Sequence, residues 1–287
     1  MNNKIKIIEC PRDAMQGIKK LIPTEKKVEY ANTLLKVGFD TIDVGSFVSP
    51  AVIPQMADTA FVLEQLDISD TKSKLLVIVA NERGAFDACQ FEQIDYLGFP
   101  FSISEQFQQR NTNASIEQAL IRLKRIKEMA DASNKELVVY ISMGFGNPYG
   151  EEWNTEIVEH WVDQIIDLDV NIISLSDTIG VADKNSISYL FGELVPKYPH
   201  IEFGAHLHTA PHNWLEKVAT AYQSGCRRFD GAIRGFGGCP MAKDDLVGNF
   251  PTENLLEYFK SEEVDLNLDQ NSFDLATIIA LNIFPAH

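Results

Sequence analysis

Ile5-Lys6-Ile7-Ile8-Glu9-Cys10-Pro11-Arg12-Asp13 reads as a short apolar strand that runs into a proline and two charges. A doubly wound open sheet usually places a glycine-rich phosphate turn, GxGxxG, after its first strand. None follows here. Outward from this segment, seven further strand-like runs can be marked: 41–46 (TIDVGS), 75–80 (LLVIVA), 94–99 (IDYLGF), 137–143 (LVVYISM), 172–177 (IISLSD), 202–208 (EFGAHLH) and 228–233 (RFDGAI). Most are rich in Ile, Val, Leu and Phe, as strands covered on both faces are. The gaps between them carry helical patterns. The segment 24–37 begins at Thr24, has Glu25 in its first turn and stops at Gly38. The segment 115–132 opens on Ser115-Ile-Glu-Gln and repeats Ile116, Leu120, Leu123, Ile126 and Met129 at helical spacing. Segments 154–168, 183–195 and 212–224 repeat the theme, and 252–260 and 271–283 read as C-terminal helices. Strand–helix alternation eight times over predicts a (β/α)8 TIM barrel with extra C-terminal helices, one domain over residues 1–287.

Composition narrows the function. The chain has 287 residues, 45% of them hydrophobic, and a formal net charge of -16. No clustered Lys/Arg patch offers a nucleic-acid groove, so no nucleic-acid partner is expected. No run of about 18 apolar residues is present, so no membrane span is expected. Met1 to Lys6 resembles neither a secretory nor a transit segment, so a cytoplasmic protein is expected. Four cysteines (Cys10, Cys89, Cys226, Cys239) without a CxxC pair argue against a disulfide framework or a cysteine-rich zinc site. An anionic substrate would need a local cationic patch, for which Lys19–Lys20, Arg110 and Lys243 are candidates.

Active sites of TIM barrels lie at the C-terminal ends of the strands. There the sequence places Arg12-Asp13, Asp43, Tyr140 and Ser142, Asp177-Thr178, and His206-x-His208. Residues two apart on a strand face the same side, so both imidazoles can share one metal at the barrel mouth. A carboxylate from Asp13 would complete a face of two histidines and one carboxylate with open positions for substrate oxygens. Asp177 either caps the following helix or supports a neighbour of the metal. Cys239, between Gly238 and Pro240 in a glycine-rich loop, is better placed for chemistry than for packing.

Five stretches, in order, resemble the 3-hydroxy-3-methylglutaryl-CoA lyases of the metal-dependent lyase and Claisen-type synthase barrels. They are Pro11-Arg12-Asp13 with Gln16; Ser46-Phe-Val-Ser-Pro50 with Pro54-Gln-Met56; Ser104-Glu105, Phe107 and Asn111 with Ser115-Ile-Glu117; Ser176-Asp-Thr-Ile-Gly180; and Gly235-Phe-Gly-Gly-Cys-Pro240. The resemblance covers Ile7 to about Tyr258. It implies that Asp13, His206, His208 and Asn249 hold Mg2+ or Mn2+, that Arg12 stabilises an enolate oxygen, and that Cys239 closes over the site and takes part in proton transfer. It further implies that Gln16, Asn111, Tyr140 and Thr178 contact the acyl group, that the substrate is an acyl-CoA, and that the protein is a homodimer. From their places at strand ends, Asp43, Asp177 and His206 are also expected in the catalytic set. The implied reaction is cleavage of 3-hydroxy-3-methylglutaryl-CoA to acetyl-CoA and acetoacetate.

The chain departs from the pattern in four places. Asp43 stands where the family has Glu, Thr209-Ala-Pro-His212 where it tends to read Asp-Thr-Tyr-Gly, and Met143 and Gly146-Asn147 where cysteines are expected. The loop from Cys239 to Asn249, with Lys243-Asp244-Asp245, is one residue longer. Two further readings compete with the lyase: a Claisen-type synthase or aldolase acting on a related acyl-CoA, and a catalytically silent barrel that binds acyl-CoA.

Overall fold

The computed structural model describes residues 4–238 and 248–284. Eight parallel strands form its centre: β1 Lys6–Glu9, β2 Thr41–Ser46, β3 Lys74–Ile78, β4 Tyr96–Ser102, β5 Glu136–Ser142, β6 Ile172–Asp177, β7 Glu202–Thr209 and β8 Arg228–Gly231. Each pairs with its sequence neighbours, and β1 pairs with β8, so the sheet closes on itself as a barrel. The strand expected over 5–10 is shortened to Lys6–Glu9, because Pro11 has no amide to donate and starts a helix instead. β2 and β6 occupy the ranges read from sequence.

The helices are α1 Pro11–Gln16, α2 Thr24–Val37, α3 Thr59–Glu64, α4 Glu82–Cys89, α5 Glu105–Thr112, α6 Ile116–Ala132, α7 Thr155–Ile166, α8 Lys184–Lys197, α9 Trp214–Gln223, α10 Thr252–Ser261 and α11 Gln270–Ile283. The Ser115-x-x-Gln118 signal is a capping box: the Ser115 hydroxyl accepts from Gln118 N, and the Gln118 side chain accepts from Ser115 N. Gly38 ends α2 in the left-handed region at φ 89°, where a side chain would be strained. Thr24 is the first helical residue of α2 rather than its cap, and its hydroxyl donates to Asp58 Oδ2 at 2.7 Å. Four short helices, α1, α3, α4 and α5, were not legible as periodic segments; six to eight residues are too few to display a face.

Two apolar layers hold the barrel. Inside it, Leu76, Ile78, Tyr96, Val138, Tyr140 and Ile172 form a compact cluster. Alternate residues of the same strands point outward and join the larger core beneath the helices. α11 packs on α2, burying Phe273, Ala276, Ile279 and Ala280, while Leu275, Ile278 and Leu281 stay half exposed. A two-residue strand, β9 (Gly248–Asn249), was not anticipated. It pairs antiparallel with the end of β7, His208 opposite Asn249. Among the described residues no helix is long and apolar enough to cross a membrane.

Candidate active site

The first turn of α1 carries Arg12 and Asp13 directly after β1, so both emerge at the C-terminal rim of the barrel. β7 delivers His206 and His208 to the same rim. One ligand atom from each of Asp13, His206 and His208 lies within 4.8 Å of the other two. Burial works against the charge of Asp13. Arg12, His206 and the Asn249 hydrogen bond nevertheless hold its carboxyl below the ordinary carboxylate range. Burial, with His206 alongside, pushes His208 down to about 4, so it is a neutral imidazole at physiological pH. Asn249 Nδ2 donates to Asp13 Oδ2 at 2.5 Å and to Phe236 O at 3.0 Å, which leaves its amide oxygen unengaged by those bonds. Two imidazoles, a carboxylate and an amide oxygen make a fitting donor set for a divalent cation.

His206 is oriented by a residue that sequence reading missed. Its Nδ1 lies 3.0 Å from Asp230 Oδ2 on β8. In the neutral tautomer that donates to Asp230, Nδ1 carries the proton and Nε2 keeps its lone pair for the cluster. Burial disfavours the charged ring, but the Asp230 hydrogen bond and charge outweigh it and raise the His206 pKa. The signal in the sequence was an acid in the middle of the strand segment RFDGAI, flanked by Phe229 and Gly231. Lys217, also missed, is almost fully buried on α9 and donates to Asp177 Oδ2 at 2.6 Å and to His208 O at 2.8 Å.

These contacts sort the predicted residues. Arg12, Asp13, His206 and His208 line one cavity of about 150 Å³ with Gln16, Asn111, Tyr140 and Thr178. Its remaining wall is largely apolar, including Val48, Val52, Ile53 and Phe107. Asp43 does not line it. Arg12 Nε donates to both Asp43 oxygens and Nη2 to Oδ2 at 2.5 Å, while Nη1 donates to Gln16 Oε1 at 2.9 Å and Asp13 Oδ1 at 3.1 Å. Burial lifts Asp43 to about 6 against the pull of Arg12. Asp177 is also absent from the wall: its carboxylate accepts from Lys217 and from the amides of Val181 and Ala182. Asp43, expected in the catalytic set, contacts the site through Arg12; Asp177 caps the turn after β6 and pairs with Lys217, as one of its two sequence readings had it. Cys239 and Lys243 lie outside the described residues. Of the expected cationic candidates, Lys19 and Lys20 are exposed, and Arg110 lies over the Tyr149 ring at 4.9 Å.

Thr178 also braces the strand end. Its hydroxyl accepts from Met143 N, and Met143 sits at φ 58°, a costly backbone region for an unbranched long side chain. Tyr140 presents its ring edge-on to His206 at 5.6 Å between centroids.

Comparison with known proteins agrees with this architecture. Residues 4–279 match the family described as HMGL-like. The chain is 31% identical over 266 residues to the cytoplasmic 3-hydroxy-3-methylglutaryl-CoA lyase of Rattus norvegicus, covering 92% of this chain and 77% of that one. It is 30% identical over 258 residues to the hydroxymethylglutaryl-CoA lyase of Bacillus subtilis, covering 90% and 85%. The crystal structure of a Bacillus subtilis HMG-CoA lyase superposes with a TM-score of 0.91 at 29% identity, covering 98% and 94%. That of an HMG-CoA lyase from Acinetobacter baumannii, in complex with coenzyme A and 3-methylmalate, does so with 0.88 at 26% identity, covering 96% and 89%. With the barrel closed, the polar cluster at its C-terminal rim and the match running over nearly its whole length, the chain belongs to the HMGL-like family.

Proposed function

We propose that the protein is a carbon–carbon lyase that splits 3-hydroxy-3-methylglutaryl-CoA into acetyl-CoA and acetoacetate, the closing step of leucine breakdown. The observation that carries this reading is the opening of the Asp13, His206 and His208 cluster and of Arg12 into one cavity. Relatives named as lyases of this thioester, and a neighbour described with coenzyme A bound, support the substrate class. We further propose that residues 1–287 act as one catalytic domain, in the cytoplasm, as a homodimer.

Asp13, His206, His208 and Asn249 would hold Mg2+ or Mn2+. A bound cation supplies Lewis acidity, lowering the pKa of the C3 hydroxyl and screening the substrate carboxylate. The residues do the rest. Arg12 stays charged beside Asp43 and Asp13 and aims its guanidinium into the cavity, where it stabilises the enolate oxygen as the C–C bond breaks. Asp43 locks that guanidinium in place through a bidentate pair. Asp13, through its carboxylate, or His206, through Nε2, would take the hydroxyl proton. Gln16, Asn111, Tyr140 and Thr178 orient the acyl group along the wall they share. Cys239 would return a proton to the acetyl carbon.

The test is an assay of acetyl-CoA and acetoacetate release from the thioester with Mg2+ or Mn2+ and after chelation. Release that stops on chelation and returns with the metal is expected. Absence of product at saturating metal would sink the reading. Consumption of acetyl-CoA with a 2-keto acid, seen as free thiol, would instead mark a synthase.

A further inference from the structure

We propose that Cys10, His206 and Asp230 form a second cation site, one shell deeper in the barrel, that takes a thiophilic divalent metal such as zinc or cadmium. One ligand atom from each residue lies within 4.8 Å of the other two. The backbone sets this up: Cys10 follows β1, its amide donates to Gly231 O at 2.8 Å, and Asp230 lies beside Ile8 in the β1–β8 register. Both side chains are buried, Cys10 at 1% exposure and Asp230 at 1%.

The groups are under-used as they stand. Asp230 Oδ1 is buried without a hydrogen-bond partner, and the Cys10 thiol reaches only Ile8 O, at 3.8 Å. An unpartnered buried carboxylate oxygen is costly, and a cation would satisfy it. Sulfur, imidazole and carboxylate together select zinc-like ions over Mg2+, which prefers oxygen. Binding is a proton exchange: the thiol proton leaves to solvent as the sulfur–metal bond forms. The Nδ1 proton that now faces Asp230 must shift to Nε2, which takes that nitrogen away from the outer cluster.

His206 is therefore the shared element. Its Nε2 serves the outer cluster only while Nδ1 holds the proton. An inner cation thus competes with an outer one for a single imidazole, and each weakens the other by the same factor. The site makes a built-in point of inhibition by thiophilic metals. The competition rests on the outer cluster being a metal site; the inner site itself does not.

Cadmium titration of the full chain, followed by the ultraviolet thiolate-to-cadmium band, tests this. The expected result is a one-equivalent band that persists in Cys239→Ser and Cys226→Ser and vanishes in Cys10→Ser. Asp230→Asn, which keeps every thiol, should weaken cadmium binding by about tenfold or more. Raising Mn2+ should shift the titration to higher cadmium. Cys10→Ala should leave Mg2+-dependent turnover unchanged and relieve inhibition by zinc. A band that survives Cys10→Ser, or that is lost in Cys239→Ser, would overturn the inner site. A Cys10-dependent band insensitive to Mn2+ in protein whose turnover is Mn2+-dependent would overturn the sharing of His206, whereas turnover that survives chelation would overturn the outer metal reading instead.

Discussion

At the scale of single residues, Arg12 carries the most. Four of its hydrogen bonds go to carboxylates on two elements, which fixes a planar donor that would otherwise sample many rotamers. Arg12→Gln removes the charge aimed at the developing oxyanion, and steady-state kinetics should show turnover falling by about 10² to 10³ with the circular-dichroism spectrum intact. A loss of only a fewfold would mean the guanidinium faces no charge in the transition state. Gly237 is the less obvious residue. A Cβ there would stand 2.2 Å from Asn249 Nδ2 and 3.0 Å from Asp13 Oδ2, on a backbone at φ 116°. Gly237→Ala should push Asn249 off Asp13 and weaken Mn2+ binding by about 10- to 100-fold in calorimetry, with turnover partly restored at high metal.

At the scale of elements, Glu9 joins three of them. It sits on β1, where Oε1 accepts from Ile233 N at 2.9 Å after β8 and Oε2 from the Thr252 hydroxyl at 2.5 Å on α10. Burial raises its pKa from 4.5 to about 8, only partly opposed by those bonds. Between these two values the folded protein holds a proton that the unfolded chain has lost. This group's share of stability is therefore full below about 4.5 and declines as pH rises toward about 8. Glu9→Gln keeps the size and an acceptor for Ile233 N. Urea unfolding should show the variant losing less stability than the parent across that window. Parallel pH profiles for the two would place the titration elsewhere. α9 does similar work through Lys217, tying the loop after β6 to the carbonyl of His208.

At the scale of the whole molecule, the site closes the chain on itself. Asp13 and Asn249 are 236 positions apart, yet their side chains share a hydrogen bond. A cation held by both, with His206 and His208, would link the two ends of the fold and favour the native state by mass action. Thermal unfolding should shift upward with Mn2+, by the equivalent of about 2.7 kcal/mol at a hundredfold excess over Kd. The shift should vanish in His208→Ala, and a variant that keeps it would show that the metal binds elsewhere.

Much of this was legible from residue order. The alternation of strand and helix, the missing glycine-rich turn after β1, and HxH on β7 depend on periods of two and 3.6 that a sequence displays directly. So did the grouping of Arg12, Asp13, His206 and His208, because a barrel sends the ends of all its strands to one rim. Tertiary structure alone decided which acids face the cavity. Asp43, Asp177 and Asp230 all sit in or at the end of strands, but each is claimed by a partner from another element: Arg12, Lys217 and His206. Those partners lie 24 to 40 positions away, and no local period connects them. A buried charge is placed by whatever pairs with it, and pairing is a property of the folded barrel rather than of the strand that carries the acid.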